Sequence, residues 1–260
     1  MSSKILGFDA DNVGQSLGGY GYTSISVSKL GASEYTVVSI VVDKTSSVAP
    51  FKDQLEEMVQ VSLESCKSSP RALNLLARST AFSAGWNSGS NIEELHGFTL
   101  LSSIDTAQFK GTIHPSGSTP LFEATDEAID TTYSYVKGLY DNEHISNANA
   151  VIFIITDGED NASRIIRPSH IKEKIEKIRR EECLESIQII LIGINDTDPS
   201  FKAELEKFRI EAAIDQYVSV GDVTKGKLAK LAQFVSQSIS SSSQALGTGQ
   251  ASQPISNFTF

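Results

Sequence analysis

The sequence predicts an α/β protein with a doubly wound, mainly parallel central sheet and helices on both faces. Residues 37–42 (VVSIVV), 150–155 (AVIFII) and 187–194 (IQIILIGI) are nearly unbroken apolar runs rich in β-branched side chains. Such runs suit strands that are covered on both faces. Segments with apolar residues at helical spacing lie between them, and strands alternating with helices point to a parallel sheet.

Taken in order, residues 1–33 form an N-terminal extension. Gly14, Gly18, Gly19 and Gly21 crowd around Tyr20 and Tyr22. No Lys-Ser or Lys-Thr follows them, which excludes a P-loop. Asp9 and Asp11 read as a solvated turn, and residues 23–30 alternate in the manner of an edge strand. The main domain spans residues 34–240. Its first strand ends at Asp43, followed by Lys44-Thr45-Ser46-Ser47. On this stretch alone, Asp43 reads either as a cap for the next helix or as part of an oxygen-rich seat for a small cation.

A helix follows on Phe51, Leu55, Met58, Val59 and Ser62, with Pro50 in its first turn, and Ser68-Ser69-Pro70 breaks it. Residues 79–83 and 98–102 are short strand candidates around a turn-rich 85–91. Thr119-Pro120 reads as an N-cap and first-turn proline, opening a helix with Leu121, Ala124, Ala128, Ile129 and Thr132 on one face. The second apolar strand ends in Thr156-Asp157-Gly158. Pro168 then starts a helix that turns Ile171, Ile175 and Ile178 inward, with Lys172/Glu176 and Glu173/Lys177 paired on its solvated face. After the third strand, Phe201, Leu205, Phe208 and Ala212 mark a helix, residues 216–220 a strand, and Leu228, Leu231, Phe234 and Val235 a last helix. Residues 241–260, rich in Ser, Gln and Gly before an aromatic end at Phe258 and Phe260, predict a flexible tail.

A net charge of -10 and a pI near 4.9 exclude a general nucleic-acid binder, since no basic stripe is present to displace counterions. The two cysteines, Cys66 and Cys183, make neither a disulfide framework nor a zinc set, which favours a reducing compartment. The start lacks an apolar signal core and no apolar run reaches membrane-spanning length. Together these features predict a cytoplasmic protein with no membrane partner.

In an open parallel sheet, ligands bind at the carboxyl ends of the strands where the winding reverses. Asp43, Thr45 and Ser47 follow one central strand, Asp157 follows another, and Thr119 opens a helix between them. Two carboxylates and three hydroxyls from three loops therefore converge on one rim. Asp43-x-Thr45-x-Ser47, Gly117-Ser118-Thr119-Pro120-Leu121 and Thr156-Asp157-Gly158 together resemble the metal-ion-dependent adhesion site of von Willebrand factor A domains, over residues 34 to 240. That fold is Rossmann-like. Within the superfamily, Ser69-Pro70-Arg71-Ala72-Leu73 and residues 234–240 are most similar to the bacterial tellurium-resistance (TerY-type) proteins. Thr45 stands where the family more often has Ser, which keeps a hydroxyl, and Ser118 replaces a usual Gly.

The resemblance implies a non-enzymatic module in a bacterial or phage stress system of the tellurium-resistance type. Its metal site would be Asp43, Thr45, Ser47, Thr119 and Asp157. Hydroxyls of Thr45, Ser47 and Thr119 would ligate Mg2+, with Mn2+ or Ca2+ as substitutes. Asp43 and Asp157 would hold waters and balance charge. A vacant position would then take an Asp or Glu of a partner protein. The alternative from another class is a metal-dependent hydrolase or phosphotransferase on a similar sheet. A haloacid-dehalogenase-type phosphatase needs a second Asp where Thr45 stands, and no nucleophile–base pair emerges around His96, His114, His144 or His170. A third reading makes the ion a structural tie between loops.

Overall fold

Strand pairing, rather than strand content, decides where the functional rim lies. The computed structural model describes residues 21–25, 30–85, 90–250, 252–255 and 258. Six strands, β1 (Glu34–Asp43), β2 (Leu75–Ala84), β3 (Ser90–Leu100), β4 (Asn147–Thr156), β5 (Ser186–Gly193) and β6 (Gln216–Ser219), form one sheet in the order β3-β2-β1-β4-β5-β6. All neighbours pair in parallel except β2 and β3, which are antiparallel. The chain winds outward from β1 on one side and from β4 on the other. The reversal therefore falls between the carboxyl ends of β1 and β4, where such sheets bind ligands.

Alternation along β1 explains why both faces need cover. Val37 and Val41 pack with Ala124, Ile129, Ile171 and Leu205, whereas Val38, Ile40 and Val42 pack with Leu55, Met58, Leu231 and Phe234. These partners come from α2 (Leu121–Asp141), α3 (Pro168–Ile178) and α4 (Pro199–Glu211) on one face, and from α1 (Lys52–Lys67) and α5 (Lys225–Thr248) on the other. The expected three-layer arrangement is the observed one.

Two strands exceed their sequence signal. β2 begins at Leu75, not at residue 79, and carries Arg78, Ser79, Thr80 and Ser83 in buried positions. β3 is an eleven-residue antiparallel edge, not a short strand at 98–102. Its first half is polar because much of it faces water, so hydrophobic period does not mark it. Arg78, 1% exposed, ties these elements together. Its guanidinium donates to Glu94 on β3 at 2.8 Å, and to Glu127 at 2.7 Å and Thr131 at 2.9 Å on α2.

The chain ends depart further from expectation. Ser24 bridges Phe98 in parallel, with Ile25 N–H on the Phe98 carbonyl at 2.9 Å. Residues 23–25 thus run along β3 as an added edge. The glycines at 14, 18 and 19, Tyr20, the pair Asp9 and Asp11, residues 26–29 and Phe260 lie outside the described residues. At the other end, α5 continues through Thr248, eight residues into the stretch expected to be a flexible tail, and buries Ser242, Ser243 and Leu246. Ile255 and Phe258 pack on the α1/α5 core, with the Phe258 ring 5.3 Å from that of Phe234. Serine suits such a helix because its small side chain lets the backbone come close to its neighbour. The Asn149 amide uses that approach, donating to the Ser242 carbonyl at 2.9 Å and to Ser252 at 2.8 Å. Among the described residues no helix is long and apolar enough to cross a membrane.

Candidate metal centre

Asp43 is the last residue of β1 and is 0% exposed. One carboxylate oxygen accepts the Thr45 N–H at 2.8 Å, and the other accepts the Thr156 hydroxyl from the end of β4 at 2.8 Å. Asp43 therefore shapes its own loop and caps no helix. A short 3-10 turn, Ser46–Phe51, leads from this loop into α1, and Thr45 precedes it without a side-chain capping bond. The Thr45 hydroxyl is instead 3.0 Å from that of Ser47, and Ser47 donates to Asp157 at 2.8 Å. A hydroxyl has one proton. Ser47 gives its proton to Asp157, and the Thr45 hydroxyl lies within reach of both Ser47 and the Asp43 carboxylate.

Thr119 does not cap α2, contrary to the sequence expectation. Pro120 is the N-cap residue and no side-chain bond is made there. The loop after β4 supplies the cap. Asp160 accepts the Phe122 N–H and Ser163 accepts the Glu123 N–H, each at 3.2 Å. Asn161 also accepts the Thr119 N–H at 2.8 Å, and its own N–H returns to the Thr119 carbonyl at 3.0 Å. These bonds bind the Thr119 loop to the Asp157 loop and leave the Thr119 hydroxyl free of capping. That hydroxyl faces Gly158, where an added Cβ would stand 3.2 Å from it. The other side of the Thr119 loop is clamped by a two-bond bridge between Ser118 and Ala84. Gly117, with φ of 76°, sits where a Cβ would meet the Ala84 carbonyl at 2.1 Å. No other residue fits there without displacing that bridge.

The structure thus joins Thr45, Ser47 and Asp157 in one hydrogen-bonded chain beside Asp43, with Thr119 across the Gly158 turn. Thr156, Asp160, Asn161 and Ser163 are the residues that sequence reasoning left without a role. Only Thr156 carried a signal, as a neighbour of Asp157. His114 is exposed. Burial pushes the Asp43 carboxyl up to about 6, with bonds from Thr45 and Thr156 pulling it down and the charge of Asp157 adding to the rise. Burial likewise raises Asp157, opposed by the Ser47 hydroxyl.

No family model matches the chain, and no curated relative matches it. Solved structures do. The pilus adhesin SpaC from Lactobacillus rhamnosus GG, in an open conformation, superposes with a TM-score of 0.55 at 11% identity, covering 80% of this chain and 30% of the adhesin. Proximal thread matrix protein 1 from the mussel byssus, with a zinc-occupied MIDAS motif, gives 0.52 at 16% identity, covering 80% of this chain and 46% of that one. The minor pilin PilB from Streptococcus sanguinis gives 0.52 at 13%, covering 82% and 63%. The fold is the von Willebrand A type. This chain spans less than two thirds of each of these proteins, and at such identities the likeness is of fold.

On this von Willebrand A sheet, the rim offers two carboxylates and three hydroxyls, all hard oxygen donors. Among the described residues no three His, Cys, Asp or Glu side chains gather as a metal-ligating group, so the donor set is hydroxyl-rich. Such a set suits a hard cation. It also holds two carboxylates whose charges oppose each other, Asp43 buried and Asp157 half-buried, a conflict that a divalent cation relieves.

Proposed function

We propose that this chain is a non-enzymatic interaction module that takes an Asp or Glu of a partner protein through a divalent cation seated at Asp43, Thr45, Ser47, Thr119 and Asp157. The observation that carries this reading is the hydrogen-bonded line Thr45–Ser47–Asp157 beside buried Asp43, with Thr119 facing the same turn. When bound, the cation supplies a Lewis-acidic positive centre that accepts a carboxylate. The hydroxyls of Thr45, Ser47 and Thr119 act as neutral ligands, which leave that centre strongly positive. Asp43 and Asp157 balance charge and orient the hydroxyls. Mg2+ suits a cytoplasmic setting, and Mn2+ or Ca2+ would substitute.

Support for an adhesive rather than catalytic role comes from the fold neighbours, a pilus adhesin, a minor pilin and a byssal matrix protein. The setting we favour is a cytoplasmic bacterial or phage stress system of the tellurium-resistance type. It rests on the short similarities at residues 69–73 and 234–240. Titration calorimetry with Mg2+ and Mn2+ on the wild type and on Asp43→Ala tests the seat. Binding by the wild type and none by the variant is expected, and equal binding by both would place any ion elsewhere.

A further inference from the structure

Thr119 is 3% exposed and its segment is held by two clamps. On one side, Ser118 and Ala84 exchange both backbone bonds, at 2.8 and 3.0 Å. On the other, the Thr119 N–H donates to the side-chain carbonyl of Asn161 at 2.8 Å. The Thr119 carbonyl accepts the Asn161 N–H at 3.0 Å and the Ala162 N–H at 3.2 Å. Both polar groups of the Thr119 backbone are therefore held by the loop after β4. A β-branched side chain is stiff at its first torsion, so a fixed backbone fixes the direction of the Thr119 hydroxyl. That direction is toward Gly158, the residue after Asp157. A Cβ at Gly158 would stand 3.2 Å from the Thr119 hydroxyl oxygen and 3.8 Å from its methyl group.

Attachment of this loop to α2 does not depend on Asn161. Asp160 accepts the Phe122 N–H and Ser163 accepts the Glu123 N–H. Glu123 in turn accepts the N–H groups of Arg164 and Ile165 at 2.8 and 3.2 Å. What Asn161 adds is aim. Any residue in its place could return a backbone N–H to the Thr119 carbonyl. Only a side chain with an acceptor oxygen on Cγ, Asn or Asp, reaches the Thr119 N–H with the loop in this shape. Asn161 is exposed, so its side chain does not serve to fill the core.

We infer that Asn161 is a positioning residue for the metal seat, setting the direction of the Thr119 hydroxyl and with it the affinity for the cation. The inference rests on the function proposed above, because it takes Thr119 as a ligand. Groups that orient ligands in this way set metal affinity by about 10- to 100-fold. Adjacent residues of one loop thus divide the work, Asp160 capping α2 and Asn161 aiming the ligand.

The test combines Mn2+ titration calorimetry with amide hydrogen exchange of the metal-free protein, both on the full chain. Asn161→Ala should bind Mn2+ about 10- to 100-fold more weakly than wild type. Its Thr119 amide should exchange several-fold faster, while the amides of β4 and β5 keep their protection. Asn161→Ser keeps a polar turn residue but is too short to reach the Thr119 N–H, so it should behave in the same way. Asn161→Asp keeps the acceptor oxygen and should bind Mn2+ at least as well as wild type. Asp160→Ala, which uncaps α2 from the same loop, should lower the melting temperature and leave Mn2+ affinity unchanged. Binding by Asn161→Ala and Asn161→Ser as tight as that of wild type overturns the inference and leaves the proposed function standing. Equal weakening by Asp160→Ala also overturns it, because loop stability rather than aim would then set affinity. So does failure of Asn161→Asp to restore binding, or weaker binding by Asn161→Ala with Thr119 exchange unchanged. No Mn2+ binding by the wild type, or binding indifferent to Asp43→Ala and Thr119→Ala, overturns the proposed function and this inference together.

Discussion

Asp43 is where burial and charge meet most sharply. Its carboxyl rises from 3.8 to about 6 in the folded chain. A carboxyl raised by folding favours the folded state when protonated. Its contribution is full below about pH 4 and is lost as pH rises through about 6, a span worth up to about 3 kcal/mol. Metal-free wild type should therefore lose stability between pH 4 and pH 7 relative to Asp43→Asn, as read by urea unfolding at each pH. Added Mn2+ needs the carboxylate, so the metal-induced gain should grow over the same range. A wild type that tracks Asp43→Asn throughout would contradict this account. A second pair of residues separates capping from ligation. Asp160→Ala removes the α2 cap and should cost about 0.5–2 kcal/mol, whereas Thr119→Ala should leave the melting curve nearly unchanged and weaken metal binding. The sequence assigned the cap to Thr119 because Thr-Pro is a common helix start. Nothing local in the sequence reveals that a loop some forty residues later reaches the same N–H groups.

At the scale of elements, α5 and the segment after it carry the main revision. The composition after Ser240 suggests a mobile tail, for which truncation would be neutral. The structure places Leu246 in the core and Ile255 and Phe258 against it, and Gln216 donates to the Ile255 carbonyl at 2.9 Å. Deleting residues 241–260 should lower the melting temperature by several degrees, at about 2–4 °C per kcal/mol for a domain of this size. Differential scanning calorimetry that finds no change would restore the flexible-tail reading. Serine-rich sequence hides this helix because burial of small polar side chains leaves no apolar period. β3 escaped notice for a related reason, as an edge strand needs only one packed face. The strands buried on both faces, β1, β4 and β5, were legible because each of their residues must be apolar or small.

Across the whole molecule, two apolar layers sandwich the sheet without help from the rim. The fold should therefore survive chelation, with far-UV circular dichroism unchanged. Saturating cation should raise the melting temperature by roughly 5–10 °C at about a hundredfold excess over its dissociation constant. Unfolding on chelation would make the ion a structural tie and remove the case for an adhesive role. Screening belongs to this scale too. With a net charge of -10, salt should strengthen the approach of an acidic partner at long range while weakening the short-range pairs at the rim.

The sequence by itself determined the architecture and which oxygen-bearing side chains stand at the rim. Long apolar runs cannot be placed anywhere but between two covered faces, and Asp43, Thr45, Ser47, Thr119 and Asp157 follow those runs or open the intervening helix at positions that topology carries to one edge. Tertiary structure alone decided how these residues are held. Arg78 is a charged residue in the middle of β2, unreadable as a strand position until Glu94 and Glu127 arrive from β3 and α2 to satisfy it. Asn161 locks Thr119 to the Asp157 loop, and Ser47 finds its acceptor 110 residues away. A hydrogen bond between distant residues leaves no periodic trace along a chain, because its geometry exists only after the sheet has brought both partners together.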